Sequence, residues 1–135
     1  MDFHLPAATH SYLARAAESL REAITCTDVP QRYALAHVAA LRATAALLAA
    51  RAQPMPVQRR RQKNAWVLLA EVAPEFTEWA TFFSAGAGKR AAAEAGSRRA
   101  VTEREADDLV RDADRFLALV ETSLGLTSHA PFQVA

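Results

Sequence analysis

The 135-residue chain has one cysteine, four glycines and two lysines, and its formal net charge at pH 7 is only +1. A lone Cys26 excludes an internal disulfide and any Cys-based metal cluster, and it fits a reducing compartment. With so few glycines there is no phosphate loop and no Gly-x-Ser-x-Gly nucleophile elbow, and the Gly-containing piece "SAGAGK" lacks the phosphate-loop pattern. The four histidines, His4, His10, His37 and His129, are scattered, with no His-Glu spacing of the zincin type and no paired Glu-x-x-His of a di-iron bundle. No metal and no cofactor is expected. The small net charge argues against a protein that coats nucleic acid through bulk electrostatics, while leaving room for a local basic patch. Uninterrupted apolar runs are too short to cross a bilayer, and "MDFHLPAATH" has no basic segment leading into an apolar one. The reading is a soluble protein with the cytoplasm as its default location.

What the chain has in quantity is alanine and arginine, a bias that a GC-rich genome explains as well as selection does. At 51% apolar residues, the chain suffices for one domain with a real core. Periodicity is helical from end to end, so the fold class is all-α. A first helix over residues 8–26, capped by Thr9 or Ser11, carries Leu13, Ala16, Ala17, Leu20 and Ile24 on one stripe. In "TDVPQ", Asp28 is an N-cap, Pro30 sits in the first turn and Gln31 completes a capping box, starting a second helix that runs to about Ala52. Pro54 and Pro56 break it, and a third helix runs from about Val57 to Val72. Pro74 opens a fourth, with Phe76, Trp79, Ala80 and Phe83 as a core stripe. Gly86 and Gly88 weaken or bend that helix, and Gly96 stops it in the left-handed conformation. The fifth begins with a Thr102/Glu105 capping box and points Ala106, Leu109, Val110, Ala113, Phe116, Leu117, Val120 and Leu124 inward, with Asp107 pairing Arg111 outside. Residues 1–7 and 125–135 are read as frayed ends. Short connections imply an antiparallel up-and-down bundle of about five helices.

The stretches "RYALAHVAALRATAALLAAR", "AWVLLAEVAPEFTEWATFF" and "AVTEREADDLVRDADRFLALVE" together resemble the HEPN superfamily of small helical bundles, and within it a group of short actinobacterial HEPN-like proteins. That resemblance implies dimers. It also implies one of two activities, since many members are metal-independent ribonucleases with an Arg, four to six residues and a His near the start of a late helix, whereas others lack the motif and act as binding or adaptor modules. In the corresponding segment Arg90 is followed at the relevant spacing by Ala95, Gly96 and Ser97, with no histidine to move a proton.

Two other groups carry chemistry. Arg32 and His37 match the ribonuclease formula on the second helix. Five residues along one helix, however, turn two side chains about 140° apart and separate them by about 7.5 Å along the axis. His37 shares its face with Leu41, Thr44 and Leu48, which favours a core-edge histidine bonded to a polar neighbour. The second group is Arg59, Arg60, Arg61 and Lys63, a cation cluster at a helix start that suits phosphates, with Trp66 nearby for stacking, or else a solvated face paired with acids. The expected function is a non-catalytic HEPN-like module that forms a homodimer and binds a protein or nucleic-acid partner. The alternative is a divergent ribonuclease using Arg32 and His37.

Overall fold

A computed structural model of the chain describes residues 4–51 and 64–132. They form helices α1 (Ala7–Thr25), α2 (Val29–Arg51), α3 (Ala65–Val72), α4 (Thr77–Ala85), α5 (Ala87–Glu94) and α6 (Glu103–Ser123), with a 3₁₀ turn at Pro74–Phe76 and no strand among the described residues. Counting α4 and α5 as two halves of one bent helix, the all-α bundle of five helices agrees with the periodicity.

The chain enters α2 through Asp28, whose carboxylate accepts the Gln31 N–H at 3.1 Å and so satisfies one of the helix's free donors. The first helix starts differently from expectation. Pro6 precedes it with no side-chain cap, and Thr9 is fully buried, its hydroxyl donating to the Ala46 carbonyl at 3.0 Å. A hydroxyl that can reach a neighbouring helix is worth more there than at its own helix end, because burial raises the cost of leaving it unpaired.

That bond joins the start of α1 to the end of α2, and Arg42 reaches back to Ser19 at 2.6 Å, so the two helices run antiparallel. Ala16 and Ala23 meet a helix whose Ala36, Ala39, Ala40 and Ala43 are all buried. Small side chains let the backbones approach closely. On the other side α6 runs in the same direction as α2, with Arg32 and Asp107 paired near their starts and Arg51 and Ser123 near their ends. By length and composition α2 is apolar enough to span a membrane, and 56% of its most apolar 18-residue window is buried inside the bundle.

Seven of the eight inward positions expected of α6 are buried and Leu124 packs partly buried against the same core. Its Thr102/Glu105 capping box is present in both directions. The aromatic stripe ties α4 to α6: Phe83, Phe76 and Trp79 lie 5.1, 5.7 and 5.5 Å from Phe116, ring centre to ring centre. Gly86 separates α4 from α5 and leaves no room for a side chain, as a Cβ there would sit 2.7 Å from the Tyr33 hydroxyl. Helix α5 ends with Gly96 at φ +96°, the Ser97 N–H bonding the Ala92 carbonyl, as the left-handed stop requires.

After Gly125, the described residues lie back on the bundle. The His129 ring bridges Asp114 and Glu121, the Phe132 N–H reaches Asp114 at 3.3 Å, and the Arg21 guanidinium sits over the Phe132 ring.

Candidate functional site

His37 sits near the middle of α2 at 1% exposure. Its Nε2 lies 2.8 Å from the Phe83 carbonyl oxygen, so Nε2 carries the proton and donates. Tyr33, Trp66 and Phe83 surround the ring with centroids at 6.5, 5.6 and 6.2 Å. Nδ1 is buried with no partner. Burial pushes the imidazole below the ordinary histidine value, and the Phe83 carbonyl opposes that only in part. The expected core-edge histidine is therefore deeper than its helix face suggested, and the polar neighbour it bonds is the Phe83 backbone carbonyl. A shallow cavity of about 190 Å³, lined also by Tyr33, Gly86 and Lys89, borders the ring.

Arg32 is engaged elsewhere. Its Nη1 pairs with Asp107 at 2.7 Å and its Nε donates to the Cys26 carbonyl at 3.1 Å. It shares no partner with His37, so the structure does not bring the two sequence-matched groups to one point. The same pairing corrects the expected Asp107–Arg111 bridge, since Arg111 instead bonds Asp108 at 3.1 Å. Asp107 faces the bundle's α2 side, where the Arg32 guanidinium, its side chain only 13% exposed, is the stronger partner. Arg90 lies on α5 with Glu94 at 3.4 Å. The basic group Arg59, Arg60, Arg61 and Lys63 lies outside the described residues.

The described surface contains a second arrangement. Phe82, 46% exposed, lies off the buried stripe of α4 and forms a near-perpendicular corner with Trp79, at 6.4 Å and 88°. Glu78 from α4 and Asp112 from α6 complete a cavity of about 280 Å³ around that corner. Burial, with the Asp108 charge beside it, holds the Asp112 carboxyl above its ordinary range. Phe82 also lines the cavity of about 260 Å³ that continues along α6 past Asp108 to Lys89 and Tyr33. The residues of this groove were absent from the sequence-level candidates. The available signal was Phe82 itself, a large apolar side chain one step out of register with Phe76, Trp79 and Phe83.

A family model described as HEPN_SAV_6107-like HEPN matches residues 23–121. The chain belongs to this HEPN family. No curated protein and no solved structure matches it. The matched span of the HEPN domain takes in α2 through nearly all of α6, and so includes both the Arg32/His37 helix and the groove between α4 and α6.

Proposed function

We propose that this HEPN domain is a non-catalytic helical interaction module that acts as a dimer and binds a protein or nucleic-acid partner. The observation that carries the reading is the state of His37. A general base must reach a substrate hydroxyl within hydrogen-bond distance, and a ring at 1% exposure, with Nε2 donating to the Phe83 carbonyl and the basic Nδ1 itself buried, is not placed to do so. Arg32, held by Asp107 and the Cys26 carbonyl, is likewise committed to the fold rather than free for a phosphate.

The alanine-rich faces of α2 are not free for dimerisation, because Ala34, Ala36, Ala39, Ala40, Ala43 and Ala46 are buried within the chain. The face between α3 and α4 is the better support. There Val67 stands 45% exposed beside a cavity of about 440 Å³ lined by Ala70, Ala80 and Ala85. A second copy seated there by two-fold symmetry would cover it.

The test is incubation of the purified protein with single-stranded RNA in the presence of a chelator, alongside Arg32→Ala and His37→Ala. No cleavage above a buffer control is expected. Cleavage lost in both variants with their folds intact would establish the ribonuclease reading instead. Light scattering that returns the 14.7 kDa monomer mass at all working concentrations would remove the dimer.

A further inference from the structure

The groove between α4 and α6 combines three properties. It offers an aromatic corner, Trp79 against Phe82, with Phe82 nearly half exposed. It places two carboxylates beside that corner; among the described residues neither Glu78 nor Asp112 makes an ion pair or hydrogen bond, although Arg111 and Arg115 act on Asp112 from neighbouring positions of α6. Those two contrast with most acids of the bundle: Asp28, Asp107, Glu105, Asp114 and Glu121 all have partners. Finally, the groove is longer than one small ion, since Phe82 links the corner to a second cavity along α6 that Asp108 and Leu109 line.

An aromatic face attracts a guanidinium or ammonium through its quadrupole, and an unpaired carboxylate beside it adds charge and hydrogen bonds. Arginine fits best, because its plane stacks on a ring while its edge donates to carboxylates. At the corner itself a phosphate would face the carboxylates of Glu78 and Asp112, which disfavours it relative to a cation. The length of the groove and the apolar Phe82 and Leu109 along it suit an extended polypeptide with apolar residues between its cations.

We propose that the α4–α6 groove is a docking site for an arginine-bearing segment of a partner protein, with an arginine side chain seated on Trp79 and Phe82 between Glu78 and Asp112. This rests on the reading of the domain as an interaction module, and it chooses a protein partner for this face.

The test uses the full chain and a fluorescein-labelled peptide of alternating leucine and arginine, followed by anisotropy. Saturable binding is expected, weakened about tenfold, which is about 1.4 kcal/mol, when Glu78→Gln and Asp112→Asn are combined. The same loss is expected for Phe82→Ala and for a peptide carrying neutral citrulline in place of arginine. Glu103→Gln, an exposed acid at the start of α6, should leave affinity unchanged. Near-UV circular dichroism checks that each variant keeps its packing, and the isosteric pair keeps the test informative if Phe82→Ala does not. Equal affinity in the Glu78/Asp112 variant, equal affinity for the citrulline peptide, no binding at about 1 mM protein, or displacement of the peptide by a short single-stranded RNA would each overturn the proposal. Any of these with RNA left uncleaved refutes the docking site alone, whereas RNA cleavage dependent on Arg32 and His37 refutes the interaction-module reading beneath it.

Discussion

Replacing His37 with alanine removes a ring that is 1% exposed and packed among Tyr33, Trp66 and Phe83. The loss has two parts. The cavity left by a buried ring resembles an aromatic-to-alanine truncation, reduced because imidazole is smaller than benzene, and comes to about 2 to 3 kcal/mol. The lost hydrogen bond adds only about 1 kcal/mol, because the Phe83 carbonyl still accepts the Gly86 N–H at 3.0 Å and is not left bare. Together these make about 3 to 4 kcal/mol, or roughly 4 °C of melting temperature for each kcal/mol in a domain of this size. His37→Gln, which keeps a donor and more volume, should cost about 1 to 2 kcal/mol. The pH dependence has a definite sign. Burial depresses the folded-state pKa of His37, so as pH falls below 6.5 the unfolded chain takes up the proton first and the wild type loses stability. The alanine variant lacks that loss, so the gap between the two proteins narrows from pH 7.5 towards pH 5.5. Urea melts at several pH values measure this. A cost below about 1 kcal/mol, or a gap that widens on acidification, would refute the placement of His37 in the core.

Phe116→Ala, at the junction of the aromatic contacts from Phe76, Trp79 and Phe83, should cost about 3 to 5 kcal/mol in denaturant melts. Gly86→Ala should destabilise through contact with the Tyr33 hydroxyl, and Tyr33→Phe should recover part of the loss in a double-mutant cycle; additive effects would show that the close approach is not the cause. His129→Gln acts with the opposite pH sign to His37. Burial lowers the His129 pKa, but its bonds to Asp114 and Glu121 outweigh that and raise it, so its contribution is complete below pH 6.5 and fades as pH rises through the folded-state value. The stability difference between wild type and His129→Gln should therefore be largest in mild acid.

Helix α6 was readable in full because large apolar residues alternate with charges at helical spacing, and its capping box is written in four consecutive residues. The interruption at Gly86 was also readable, though the need for glycine there was not, since only the fold brings Tyr33 to that position. Helix α2 hid its packing. Alanine on every side carries almost no pattern, so the sequence could not separate a face left for a second copy from faces used within the chain. Long-range polar partners were equally hidden. The Arg32–Asp107 pair spans 75 residues and the His37–Phe83 bond spans 46, and neither leaves a local spacing to read. Thr9 has cap chemistry by residue type, and only the approach of Ala46 turns it into an interhelical bond. The groove acids Glu78 and Asp112 come from different helices, so their common cavity existed only once α4 lay on α6.

The most direct measurement of the central claim is nitrogen-15 NMR of the His37 ring across pH 5 to 8, assigned by comparison with His37→Gln. The account predicts a neutral ring protonated on Nε2, with a pKa below the ordinary 6.5 and chemical shifts unmoved by added RNA. A ring that titrates at or above 6.5, with a shift that follows RNA addition and depends on Arg32, would contradict it.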